Sequence, residues 1–354
     1  MGLKEMEQMR YLYSVVALLI YFCSIFLSTL IVYVVWTEQS LHEPMYIFIC
    51  SLVGNVMVGS SAFLPKLAID LLSGCTTISL SGCLTQAYFI QSCGVIEVVT
   101  FTIMAFDRYL AVGFPLRYHS LMINRKALQS LAIIWSGVLI VMLVAVLLVI
   151  RITICGNGIN NVYCETLSLT RLSCGSTVIN DIFGTTWTLV AFISSLMIVI
   201  YCYIRTFLVC LKISMEASQK AIHTLVTHIM TYSTFMAASL FVAFRYRLNS
   251  GSVSTVTHVV ISITGLLVSV TINPLIYGIR TEALRIKMIH TLKEIIQRQN
   301  WGFEGWKAAC FSGMEWAWLM MLGVVALSLE RLMKSQREQK QKREPQMFVG
   351  FSGV

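Results

Sequence analysis

The sequence predicts an all-α membrane protein: a seven-transmembrane helix bundle with its N-terminus outside and its C-terminus in the cytoplasm. Three observations carry the prediction. The first is composition. Of 354 residues, 57% are hydrophobic and only 12% charged, and the mean hydropathy is +0.76. A soluble globular chain has about 45–50% apolar and about 25% charged residues. Half the usual charge cannot wet the surface of a soluble protein this size, so lipid must cover much of it. That excludes an ordinary soluble enzyme. The second is the presence of seven apolar stretches, each long enough for the roughly 20 residues that cross a hydrocarbon core. The third is the uneven placement of Lys and Arg around them.

In chain order the stretches are 11–36, 44–72, 84–112, 127–150, 182–210, 222–245 and 253–279. The first is too long for the apolar run of a cleavable signal, about 7–15 residues, and no A-x-A site follows it, so it reads as a signal anchor. The second and third carry Lys66, Asp70 and Glu97. The fourth contains no charge at all. The seventh holds Pro274, which removes a backbone hydrogen bond inside an apolar helix, preceded by Asn273, whose amide can satisfy the freed groups. No internal repeat is visible, which speaks against an inverted-repeat transporter. No N-x-S/T sequon occurs, so no N-glycan is expected.

Topology follows from the basic residues near the span ends. One face collects Arg108, Arg117, Arg125, Lys126, Arg205, Lys212, Lys220, Arg280, Arg285 and Lys287; the other collects Lys4, Arg10, Arg151, Arg171, Arg245 and Arg247. Ten against six puts the C-terminus in the cytoplasm. The first span alone favours the reverse, with Lys4 and Arg10 before it and Glu38 and Glu43 after it, but three later loops agree with the sum. The net charge of +9 (26 Lys+Arg against 17 Asp+Glu) is thus cytoplasmic loop charge, and no nucleic-acid partner is expected.

Past the bundle the character changes. Residues 1–298 read as the seven-helix domain, closing on a short amphipathic helix after the last span. Residues 299–354 read as an atypical tail, cytoplasmic or membrane-surface. Its one apolar run, Trp316–Leu329, has 14 residues, and runs of about 10–14 are usually interfacial or buried.

Eleven cysteines are scattered without a CxxC pair, which argues against a zinc cluster, and no metal or cofactor is expected. Cys83, Cys155, Cys164 and Cys174 fall on the outer face, where disulfides form, but spacing leaves three pairings open and Cys75 competes with Cys83. Cys23, Cys50, Cys93 and Cys202 read as small buried hydrophobes.

Two motifs carry chemistry. The third span ends in MAFDRYLAVGFPLRY, where Asp107 and Arg108 form a charge pair at the membrane border, able to lock one helix arrangement and release it in another. The seventh ends in SVTINPLIYGIRT. With LHEPMYIFICSL at 41–52, MAFDRYLAVGFPLRYHSLM at 104–122, KAIHTLVTHI at 220–229 and NPLIYGIRT at 273–281, the chain resembles a rhodopsin-like (class A) G-protein-coupled receptor, and within that class an odorant (olfactory) receptor of the fish type. Four motifs in the expected order cover about residues 11–290.

The resemblance implies roles. Arg108 is the switch that meets a heterotrimeric G protein once the helices part, and Asp107 holds it at rest. Tyr109, Pro115 and Leu116 contribute to the docking surface, and Asn273, Pro274 and Tyr277 form the hinge of the activating shift. The implied disulfides are Cys83–Cys164 and Cys155–Cys174. A small-molecule odorant is expected among the outer halves of the third, fifth, sixth and seventh helices. By position the candidates are Ile90, Gln91, Gly94, Val95, Ser239, Leu240, Ala243, Ile263 and Leu266, in a mostly apolar pocket. The chain departs from the family pattern at Ser28 (usually asparagine), Val56 (often aspartate), Val270 (often proline) and Met236 (often tyrosine).

Glu97 lies ten residues before Asp107, nearly three turns deeper. A carboxylate there is costly unless paired or protonated. Two readings stand: a protonated acid bonded to a neighbouring helix, or a sodium or water site with Asn55 and Asn273.

A retinal protein needs a lysine in its last helix, and 253–279 has none. No HExxH, GxSxG or GxxxxGK[ST] motif occurs, so no catalysis is expected. The expected localisation is the cell membrane, multi-pass. The alternatives are a transporter or channel marked by Lys66, Asp70 and Glu97, or a non-signalling, pseudogene-like receptor.

Overall fold

The computed structural model describes residues 2–156, 158–159, 161–212, 214–247 and 255–298, so the tail at 299–354 lies outside the described residues. The chain divides into a unit of residues 9–293, which holds the bundle, and a second of residues 1–8 with 294–354. In the second unit the described backbone, 2–8 and 294–298, is helical.

Seven long helices form the bundle: α1 (Gly2–Thr37), α2 (Pro44–Ser73), α3 (Leu80–Gly113), α5 (Asn124–Ile150), α7 (Val178–Cys210), α8 (Met215–Arg247) and α9 (Thr255–Arg280). Three shorter α-helices and one 3-10 turn (Gln39–Leu41) lie between or after them, the helices being α4 (Pro115–Leu121), α6 (Thr166–Thr170) and α10 (Glu282–Arg298). Among the described residues, α1, α2, α3, α5 and α7 are long and apolar enough to cross a membrane. Helices α8 and α9, at 33 and 26 residues, exceed the roughly 20 that crossing needs. The helices outrun the apolar stretches read from sequence, α3 by four residues at its start, because a helix can continue into the aqueous border where hydropathy no longer marks it.

Local sequence fixes the ends. Pro44 and Pro115 open α2 and α4 in the first turn, where a missing N–H leaves no bond unmade. Gly74 closes α2 in the left-handed conformation (φ +67°), with its N–H bonded to the Asp70 carbonyl. Ser79 caps α3 by accepting from Gly82 N.

Helix α3 is the axis, packing against α2, α5, α7 and α8, while α9 packs on α2 and α8. The shared core includes Phe48, Leu52, Phe101, Met104, Phe235 and Tyr277, all buried. In lipid this core is not held by expulsion of apolar surface from water. Close packing and interhelical hydrogen bonds hold it instead. The bonds are present: Ser14 donates to the Ala68 carbonyl (3.0 Å) and Ser24 to that of Val270 (2.8 Å). Thr102, Ser195 and Tyr232 join α3, α7 and α8 by hydroxyl contacts of 2.6 and 3.2 Å. Outside, the bundle presents Phe22, Trp36, Ile133, Ile140 and Met197, each more than 60% exposed. An apolar exterior around hydrogen-bonded interior polar groups is the arrangement a bilayer demands.

Cys23 is exposed, contrary to its reading as a buried hydrophobe. It sits on the outer face of α1 beside Phe22, and a thiol tolerates lipid as well as a core. Cys93 and Cys202 are buried and Cys50 half-buried.

Candidate ligand pocket and switch

At one end of the bundle the connection between α5 and α7 folds back over the helices. Cys83 and Cys164 are disulfide-bonded, with Cα atoms 5.2 Å apart, as are Cys155 and Cys174 at 5.7 Å. Cys75 is a free, exposed thiol. A lone antiparallel bridge, Ile154 to Ser173, runs beside the second disulfide. Gln86 clasps the assembly: its Oε1 accepts from Cys164 N (2.9 Å) and its Nε2 donates to the Ala62 carbonyl (3.0 Å). The pinned loop carries α6 across the bundle mouth, where Thr166 Oγ1 accepts from Gln91 Nε2 (2.9 Å).

Beneath it lies a cavity of about 690 Å³, within the range of about 300–1,000 Å³ usual for small-molecule sites. Ile90, Gln91, Gly94, Val95, Ser239 and Leu266 line it. Leu240 does not: it is 46% exposed, because one helical step from the inward Ser239 turns it about 100° toward lipid. Ala243 and Ile263 lie outside the described side chains. The sequence reading missed the loop's share of the wall, Tyr163, Glu165, Thr166 and Arg171, and the first turns of α7, Asn180, Asp181 and Trp187. Only the fold brings the loop over the mouth, but the polar cluster opening an otherwise apolar α7 was a visible signal.

The floor reaches Glu97, which is buried and accepts from Asn273 Nδ2 at 2.6 Å. Asn55 also lines the floor; its Nδ2 donates to the Cys93 carbonyl (2.9 Å), while its buried Oδ1 has no hydrogen-bond partner among the described residues. The three residues grouped by sequence therefore sit on α2, α3 and α9. Val56 lines the same floor.

The other end of α3 carries the charge pair. Arg108 Nη2 donates to Asp107 Oδ2 (2.9 Å), and Tyr118 on α4 donates to Asp107 Oδ1 (2.8 Å). Asp107 is fully buried, so both carboxylate oxygens are satisfied by fixed partners. Burial first, and the Asp107 carboxylate second, push the Tyr118 hydroxyl pKa up, which keeps it a proton donor. Tyr118, on a separate short helix, thereby ties α4 to the buried carboxylate of α3. Tyr109 is half-buried against the rings of Phe114 and Tyr201, and Pro115 and Leu116 are exposed, Leu116 completely. Tyr277 is buried, and its hydroxyl shares hydrogen bonds with Thr231 Oγ1 (3.2 Å) and His228 Nδ1 (3.3 Å), tying α9 to α8 one turn past Pro274.

A cavity and a buried charge pair lie at opposite ends of one helix, and the chain belongs to the rhodopsin-like (class A) G-protein-coupled receptors. The olfactory receptor family model matches residues 17–295, and the chain belongs to that family. Similar proteins include human olfactory receptor 6N1, 30% identical, with 83% of this chain and 94% of the relative aligned. Mouse olfactory receptor 4B13 is 30% identical over 80% of this chain and 92% of its own length. Human olfactory receptor 52B6 is 29% identical over 80% and 85%. Members of this family are multi-pass signalling receptors, not enzymes.

Proposed function

We propose that this receptor binds a small odorant in the cavity at its Cys83–Cys164 end, which faces outside, and activates a heterotrimeric G protein at its Arg108 end, in the cytoplasm. By resemblance the G protein is the olfactory stimulatory kind, the receptor is of the fish type, and the site of action is the cell membrane. The observation that carries the reading is the placement of both sites on α3. Gln91 at the cavity and Arg108 at the lock are 17 residues apart, about 25 Å along the axis.

An odorant that binds the open arrangement better than the closed one, by a few kcal/mol, shifts the population. Opening separates Arg108 from Asp107 and frees it for the G protein, with Tyr109, Pro115 and Leu116 around it. Asn273, Pro274 and Tyr277 hinge the accompanying motion of α9 against α8. Glu97, Asn55 and Asn273 form a sodium or water site below the odorant, which holds the closed arrangement. Lys66 and Asp70, the residues that would mark a transporter's pathway, are bonded to each other, and Lys66 also donates to the Thr77 carbonyl, so they stabilise the end of α2.

The test is cyclic-AMP output from cells expressing the full chain and exposed to an odorant panel, beside Arg108→Ala. An evoked response that the variant loses, with odorant binding and surface level retained, is expected. Substrate flux without cyclic AMP contradicts the proposal.

A further inference from the structure

The wall that α7 gives the cavity carries polar groups that the rest of the fold leaves unserved. Asn180, Gly184 and Trp187 are four and three residues apart, so they share one helical face, and all three line the cavity. Both polar atoms of the Asn180 amide and the indole nitrogen of Trp187 are buried without a hydrogen-bond partner among the described residues. Burying such groups unpaired is costly, so each calls for a partner. The last torsion of each side chain is broad, so the heads turn toward a partner at little cost. Between them Gly184 leaves the backbone bare. A Cβ placed there meets nothing within 4 Å, and the same holds at Gly94 of α3, which also lines the cavity.

The two heads set the chemistry of an occupant. Trp187 offers only an N–H and needs an acceptor, whereas Asn180 offers N–H and C=O and needs a group that both donates and accepts. Seven residues separate them, about 10 Å of helix axis, and helical side chains lean the same way, so the spacing carries over to the heads. One functional group does not span that distance. Charge is disfavoured as well. The loop and the first turn of α7 bring Glu165, Arg171 and Asp181 to the cavity, two acids and one base. A carboxylate meets that excess of negative charge and has no proton for the Asn180 carbonyl, and an ammonium leaves both N–H groups without an acceptor. Much of the remaining wall, with Phe192, Phe235 and Leu266, is apolar.

We infer that the odorant is uncharged and two-headed: an aliphatic molecule with a carbonyl acceptor for Trp187 and, about 10 Å nearer the mouth, a hydroxyl or amide for Asn180. The assignment rests on the proposal that this cavity is the odorant site, and it narrows the odorants that the cavity admits.

The experiment is equilibrium binding to the full chain, purified into phosphatidylcholine nanodiscs. The probe is a tritiated ten-carbon methyl ketone with a terminal hydroxyl, whose two groups stand about 10 Å apart when extended. The competitors are the ketone without the hydroxyl, the alcohol without the carbonyl, and the ketones with a terminal carboxylate or ammonium. Loss of either neutral head should weaken binding about fivefold or more, the worth of one hydrogen bond, and neither charged analogue should match the probe. Trp187→Phe keeps the ring and removes the N–H, so the probe should lose its advantage over the alcohol and keep its advantage over the ketone. Asn180→Leu should do the converse. Retained binding of the alcohol by the first variant and of the ketone by the second shows that each is folded. Equal affinities for the probe and its one-headed parents would overturn the assignment, as would unchanged preferences in the two variants, the result expected if water serves these groups. Failure of all five compounds to bind would overturn it too, and cyclic-AMP responses to a wider odorant panel would then decide the receptor reading separately.

Discussion

Tyr118 and Glu97 show what single side chains contribute. Tyr118 gives Asp107 a second donor, so the contact that the proposed switch must break involves three residues, and Tyr118→Phe removes one hydrogen bond, worth about 1 kcal/mol. Basal signalling should rise by up to about fivefold at equal surface level; unchanged basal output would show that the bond does not bias the switch. The pH sign follows from burial. The hydroxyl's pKa is raised, so its contribution is complete below the ordinary tyrosine range and is lost only as pH climbs above it. The Tyr118-dependent part of basal output should therefore be flat across physiological pH. Glu97 tests the deeper site. Glu97→Gln keeps a hydrogen-bond partner for Asn273 but removes the carboxylate, so the sodium dependence of basal signalling should vanish. A salt response the same as wild type leaves only the bonded acid.

Among elements, the loop between α5 and α7 is held by two closures of unequal reach. Cys83–Cys164 spans 81 residues and joins α3 to the loop, whereas Cys155–Cys174 spans 19 within the loop. Chain-entropy arguments assign about 2–4 kcal/mol to such a bond, more for the longer closure. Melting of the detergent-solubilised receptor should therefore drop by several degrees for Cys83→Ser/Cys164→Ser, and less for Cys155→Ser/Cys174→Ser; equal melting points would contradict the ranking. The seven spans were legible because twenty or more apolar residues have few other uses. Helices α4 and α6 were not: seven and five residues carry no periodicity that separates them from loop. Leu240 and Cys23 were misjudged for a related reason. Hydropathy does not distinguish a core-facing from a lipid-facing position, since both are apolar, and only packing decides.

At the scale of the whole molecule, polar groups were the better guide. Asp107, Arg108, Glu97, Asn273 and the four bridging cysteines were legible because each is costly in lipid or reactive outside it, so each needs a partner, and the structure supplies one for each. The pocket was half legible, its helix walls from position and its loop wall not at all. The proposed signalling requires these two ends to lie on opposite sides of a bilayer. The measurement that tests this most directly is cleavage at a protease site inserted between Met122 and Ile123, just after α4, in intact and permeabilised cells. Protection in intact cells and cutting after permeabilisation is the expected result, with Cys75 at the opposite end labelled by an impermeant maleimide without permeabilisation. Cutting in intact cells would place Arg108 outside, where no G protein can meet it.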